Sequence, residues 1–207
     1  MLRVYKGELT TYSAAETAVR ILLVVPETIS IMPLLSDHEP LIRWLMHNDR
    51  PYDMGRAENH RTYDFHGYQA LLALRGEWDR LAARCERVLA DEPVAKKKKH
   101  LIDRRFYLAL ARGDKPGMEA VLSELTSSKI ARVRNNEQAF AFTHFFIGTH
   151  AVIYAKIAWR HGYKVEVDTP FIPREWLPIS PLPAYHDPYP FMQAFPIDTP
   201  LPERGKS

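Results

Sequence analysis

His66 to Leu89 reads HGYQALLALRGEWDRLAARCERVL, and its reading decides the fold. The apolar residues of HGYQALLAL (66–74) suit a helix, Arg75-Gly76-Glu77 interrupts it, and Trp78 to Leu89 restores a helical run. The same succession returns further on. Phe106 to Ala111 gives FYLALA, Arg112-Gly113-Asp114 follows, and a second run covers Met118 to Leu125. Gly76 and Gly113 each end a helix containing Leu-Ala-Leu, and an acidic residue opens the next helix. This predicts two stacked helical hairpins. Two copies fall short of the three that a self-standing solenoid needs, so common ancestry and coincidence both stay open; two antiparallel helix pairs follow either way.

Working outward, Tyr12 to Leu23 is expected to form a first helix ended by Pro26, and another starts after Ser36 or Asp37 with Glu39 and Pro40 in its first turn. Asn48 to Asp64 is polar and turn-rich and reads as a loop. Glu137 to Arg160 is expected to be the central helix. One stripe would hold Phe140, His144, Ile147, Ala151, Tyr154 and Ala158, and a second Phe142, Phe146, Ile153 and Ile157, an apolar surface that calls for neighbours on more than one side. Gly162 supplies a left-handed cap. Beyond it, YKVEVD (163–168) alternates like a strand, but no convincing partner strand exists, so an extended strap is expected.

The prolines of DTPFIPREWLPISPLPAY (168–185) keep that strap extended and reduce the N–H groups it must satisfy. Phe171, Ile172, Trp176, Leu177 and Leu182 are expected to fix it along the helices. The rival reading is a docking peptide for an SH3-type module, since Pro178 to Pro181 fits PxxP. The expected organisation is thus all-α: an antiparallel helical bundle in one domain, 1–190, including an extended strap over 163–190, with a C-terminal tail at 191–207.

The chain has 207 residues, and its formal charge of +3 is the near-cancellation of 28 basic and 25 acidic residues, which does not announce a nucleic-acid binder. The single cysteine, Cys85, rules out an intramolecular disulfide and suits a buried structural thiol. No signal-peptide pattern opens the chain, and the apolar run Ile21 to Pro26 is too short to span a bilayer, so a cytoplasmic protein without a membrane partner is expected.

Nine histidines raise the question of a metal. On a continuous helix His144 and His150 would point about 120 degrees apart, too far for one ion. His60, His66 and His100 could be assembled with Asp53, Glu58, Asp64 or Asp103 by folding, but their spacing predicts no ligand geometry, and HExxH is absent. GxSxG, GxGxxG and GxxxxGK[ST] are absent as well. Glu137, and Asp103 beside Arg104 and Arg105, are the carboxylates available for acid–base chemistry, with nothing to distinguish them from caps and surface ion pairs. No catalytic residue, metal or cofactor is assigned.

A resemblance adds to this. ALARGD (109–114) and FIGTHAVIYAKIAWRHGYKVEVDTPFIPREWLPISPL (146–182) resemble the Imm49-type immunity proteins of bacterial polymorphic toxin systems. The features that match are the small and aromatic helix leading to Ala158 and Gly162, Val165 to Asp168, Ile172-Pro173, Trp176-Leu177-Pro178 and Pro181-Leu182. They span roughly the last half of the chain. The resemblance implies a protein that binds a cognate toxin, encoded beside it, and neutralises it stoichiometrically. The alternative is a small helical hydrolase or toxin-modifying enzyme using acidic and histidine residues; homodimerisation is left open. An acidic toxin surface would meet Arg56, Arg61, Lys96, Lys97, Lys98 and Lys99, whereas a basic nuclease would meet Asp49, Asp53, Glu58 and Asp64. The lysine run also fits a merely solvated surface.

Overall fold

Three glycines end three helices in the same way. Gly76, Gly113 and Gly162 have φ of 71°, 68° and 85°. Each amide donates to the carbonyl three residues back, and the following amide to the carbonyl five back: Gly76 to Ala73 and Glu77 to Leu72, Gly113 to Leu110 and Asp114 to Ala109, Gly162 to Trp159 and Tyr163 to Ala158. This double closure satisfies carbonyls that a helix end leaves open, and it needs a residue at ease in the left-handed region. A Cβ on Gly113 would also lie 2.9 Å from the Tyr163 hydroxyl.

The computed structural model describes residues 30–47, 52–91, 95–137 and 143–186. These are all-α, with no strand. In chain order the helices are α1 (Ile31–Ser36), α2 (Glu39–His47), α3 (Met54–Ala57), α4 (Tyr63–Arg75), α5 (Trp78–Ala90), α6 (Leu101–Ala111), α7 (Lys115–Leu125), α8 (Ser128–Glu137) and α9 (Thr149–Arg160), with 3-10 turns at Ala95–His100 and Arg174–Trp176. The expected helix at Tyr12 to Leu23, Asp49 and the tail at 191–207 lie outside the described residues.

The two helix pairs read from the sequence are α4–α5 and α6–α7. The broadest packing is of α5 on α6 and of α6 on α7, so the second helix of one pair seats on the first of the next. Leu81 and Cys85 from α5, Phe106 and Leu110 from α6, and Met118 and Leu122 from α7 are all buried in one core. Burial pushes the Cys85 thiol up to about 11, as befits a packing residue. Every residue of α9 from Thr149 to Ala158 is buried, a helix surrounded on all sides. The Tyr154 ring stacks on Phe106 at 4.8 Å and meets Tyr107 edge-on at 5.0 Å.

Three expectations are corrected. The helix predicted from Glu137 to Arg160 is not continuous: Thr143 to Gly148 forms a turn, and α9 starts at Thr149. Gly148 takes an extended conformation there and donates its amide to the Phe171 carbonyl. His144 therefore sits in the turn rather than on the helix, and Phe146, assigned to an apolar stripe, is 73% exposed; Phe140 and Phe142 lie outside the described residues. The polar stretch before Asp64 contains a one-turn helix, α3, and α4 begins at Tyr63 rather than His66. In the segment after Gly162, Ile172 and Leu177 are buried, as expected, but Trp176 is 41% and Leu182 60% exposed.

Candidate functional site: charged loop, buried polar centre and C-terminal segment

The acidic candidates of the 53–64 region are engaged within the chain. Asp53 caps α3, its carboxylate accepting from the Arg56 amide at 3.1 Å. Asp64 pairs with the Arg56 guanidinium at 2.9 Å. Glu58 lies between Arg80 and Arg84, each at 2.7 Å, and Arg87 donates to its backbone carbonyl. Burial alone would raise the Glu58 pKa, but the hydrogen bond from Arg80 and the charges of Arg84, Arg80 and Arg87 outweigh it and hold the carboxyl below its usual value. Arg84 is buried, donates to the Ala57 carbonyl and stacks over Phe65 at 4.0 Å. Burial draws it down to about 10, with Glu58 opposing and Arg80, Arg87 and Arg104 adding. Glu58 thus serves as a junction between α3 and α5.

The basic candidates lie in the 3-10 turn Ala95–His100 and in and after α3. Lys96 to Lys99 form most of the 3-10 turn Ala95–His100, where Lys98 and Lys99 have exposed side chains. The turn is fastened from beneath, because Arg134 of α8 donates to the Lys99 carbonyl at 3.3 Å. Arg61 is exposed after α3, and its amide is held by Asn59. Arg56 shares its charge with Asp64.

Beneath the lysine turn lies a buried polar centre. Asp103 receives Arg134 at 2.6 Å and the Tyr154 hydroxyl at 3.0 Å. His100 Nδ1 lies 3.5 Å from its other oxygen and 3.1 Å from Arg134. Burial would raise the Asp103 pKa, but Arg134, His100, His150 and Arg104 together hold it well below the ordinary carboxylate range. Next to it, Arg104 Nη2 lies 2.6 Å from His66 Nδ1, and His66 stacks on His100 at 5.4 Å. An arginine can only donate, so His66 Nδ1 is the acceptor. This centre joins α4, α6, α8 and α9. A carboxylate held so firmly ionised is a poor general acid. The cavity beside Arg134, Asn135, Thr149 and His150 measures about 10 Å³, room for about one water. Among the described residues no group of three or more His, Cys, Asp or Glu side chains could hold a metal ion. His60 lies 3.9 Å from Asp91 and meets Phe65 edge-on at 6.5 Å. Arg105 pairs with Glu124.

A second buried centre was not read from the sequence. Lys156, in the apolar helix α9, is 1% exposed and donates to Asp37 at 2.9 Å, to the Trp176 carbonyl at 2.9 Å and to the Pro178 carbonyl at 2.8 Å. All three ammonium protons thus have acceptors. Asp37 has a φ of 51° at the end of α1 and takes the Ser180 amide at 2.9 Å as well. Arg160 approaches its other oxygen at 3.6 Å and pairs with Glu39 at 2.5 Å. Nearby, Tyr185 donates to the Ser36 carbonyl and accepts from the Leu182 amide. The sequence suggested Ser36 or Asp37 as the cap of α2, yet His38 performs that role, its Nδ1 accepting from the Leu41 amide. The available signal was Lys156 itself, a cation midway along an otherwise apolar run of α9.

No helix among the described residues is long and apolar enough to cross a membrane. The sequence model of the family described as Immunity protein 49 matches residues 32–176, more than two thirds of the chain. The match takes in both helix pairs, the Asp103 centre, Asp37, Lys156 and Trp176 of the second centre but not its Pro178 and Ser180, and the helices from α1 on, beginning at Met32, well before the motifs noted in the sequence. Comparison with curated proteins and with solved structures gives no match.

Proposed function

The chain belongs to the Immunity protein 49 family, and on that premise we propose that it binds a protein toxin encoded in the neighbouring reading frame and neutralises it in the bacterial cytoplasm as a stoichiometric inhibitor, without chemical change to the toxin. The family match over residues 32–176 carries this reading. The internal chemistry supports it. Asp103, one of the carboxylates the sequence offered for acid–base chemistry, is 3% exposed and committed to Arg134 and Tyr154, which suits a rigid scaffold.

Between the two charged surfaces, the basic one is the proposed point of encounter. Asp53, Glu58 and Asp64 are spent on a cap and on arginines of the same chain, which leaves little acidic field for a basic nuclease. Positive charge from the run Lys96 to Lys99 and from Arg61, of which Lys98, Lys99 and Arg61 are exposed, would speed association with an acidic toxin surface and lose effect as salt rises. Co-expression with the neighbouring toxin should restore growth through a one-to-one complex, and reversal of Lys97 and Lys98 should slow association at low salt. Protection at far below one equivalent, or covalent alteration of the toxin, would replace this mechanism with the enzyme alternative.

A further inference from the structure

We propose, resting on the toxin-binding reading above, that the uncharged edge from Trp176 to Tyr185 is a preformed apolar ridge that docks into an uncharged groove of the toxin. The stretch reads WLPISPLPAY and holds no charged residue, in a chain where about one residue in four is charged. Trp176, Ile179 and Leu182 are 41%, 42% and 60% exposed, while Leu177 is 4% exposed and anchors the segment inward.

The backbone beneath those exposed side chains is fixed with unusual thoroughness. Lys156 holds the carbonyls of Trp176 and Pro178, Asp37 holds the amide of Ser180, and Tyr185 links the Leu182 amide to the Ser36 carbonyl. Pro178, Pro181 and Pro183 restrict the remaining freedom. Burying Lys156 and Asp37 carries a desolvation cost. A segment fastened for its own burial would turn its large apolar groups inward, whereas this one turns three outward. What the clamp secures is the shape of an exposed edge. A rigid extended segment loses little entropy on docking, and Pro-rich ligands exploit this against apolar, aromatic-lined grooves.

Charge complementarity selects the occupant. With no charge between Trp176 and Tyr185, the matching surface is uncharged and apolar, as in the desolvated centre of a protein interface. The contact should therefore hold at high salt, unlike the encounter through Lys96 to Lys99.

The test is calorimetric binding of the purified toxin domain from the neighbouring reading frame at low and high salt. It compares the parent protein, Ile179→Asp/Leu182→Asp, and Lys97→Glu/Lys98→Glu. The ridge variant is expected to lose about 30-fold or more in affinity at both salt concentrations, with its melting temperature unchanged. The lysine variant is expected to lose affinity chiefly at low salt. The single change Leu182→Ser carries the same test if the double change lowers the melting temperature. Parent-like affinity of the ridge variants would overturn the ridge and leave the immunity reading standing. So would a ridge variant that changes the oligomeric state of the free protein but not toxin affinity, since the edge would then serve a second copy of this chain. A parent protein that neither binds nor neutralises the toxin would overturn the immunity reading, and the ridge with it.

Discussion

The paired helices α4–α7 and the segment from Tyr163 to His186 share one apolar core, but the second is also tied down through its backbone by a charged clamp. In the first, apolar side chains at helical spacing meet one another, and Phe106, Leu81, Met118 and Leu122 are fully buried. In the second, four buried apolar residues, Val165, Val167, Ile172 and Leu177, are joined by a lysine and an aspartate drawn from elements 119 residues apart. An apolar seam is non-directional and tolerates repacking. A charge clamp fixes particular backbone atoms, and it fails abruptly when one partner is removed. The chain uses the tolerant method where it needs bulk and the exacting one where it needs a defined edge.

The largest expected effect tests the apolar side of that comparison. Phe106→Ala removes a fully buried ring stacked on Tyr154, and should cost about 3–5 kcal/mol in chemical denaturation. A cost near 1 kcal/mol would mean that α6 and α9 close over the gap. Asp37→Asn follows, at about 3 kcal/mol. Asparagine tolerates the left-handed φ of this position, so the loss reports the charge left behind on Lys156. Hydrogen exchange separates the two regions further: Asp37→Asn should accelerate the Ser180 amide strongly, and the amides of α6 by no more than the loss of global stability. Equal acceleration in both would show that the clamp belongs to the global core.

What was legible in the sequence follows the same division. Gly76, Gly113 and Gly162 announced their helix ends because an achiral residue after an apolar helical run has one common use. Cys85 and the buried faces of α5 to α7 followed from spacing. The break at Gly148 did not, because the apolar spacing of Phe146 and Ile147 runs on past it. Its cause is a bond to the Phe171 carbonyl and close approach of Asn135 and Ala151, where a Cβ would lie 3.2 Å and 3.3 Å from them. Asp37, Lys156 and Ser180 form one centre across 143 residues, and no local pattern reports a contact of that range. Of the candidate surface, the lysine turn was readable as a run of charge. The engagement of Glu58 by Arg80 and Arg84 was not, since those arginines look like an exposed helix face until the fold brings α3 against them.

The Asp103 centre offers a polar counterpart inside the helical core, and pH measures it. Its folded pKa is lowered, so its contribution is fully present above the unfolded value of about 4 and is lost as pH falls through that value toward the folded one. In that window the parent should lose about 1.4 kcal/mol per pH unit more than Asp103→Asn does. Parallel curves for the two proteins would show that Arg134 and Tyr154 give Asp103 no preference for its ionised form. Asp37 provides the control from the other region, since Asp37→Asn leaves Asp103 intact and should retain the steeper acid limb.

The smallest expected effect is the sharpest within one segment. Trp176 and Leu177 are neighbours in sequence, yet one is 41% and the other 4% exposed. Leu177→Ala should cost about 2–4 kcal/mol, because it removes a group buried in the same core as α9. Trp176→Ala removes a larger side chain and should cost less than about 1 kcal/mol, since Lys156 holds the Trp176 carbonyl and any side chain supplies a carbonyl. Thermal denaturation of the two variants side by side decides the matter. A large loss for Trp176→Ala would make the ring a structural anchor alongside Leu177. A small loss alongside weakened toxin binding would divide the labour as proposed, with the backbone of residue 176 serving the fold and its indole serving the partner.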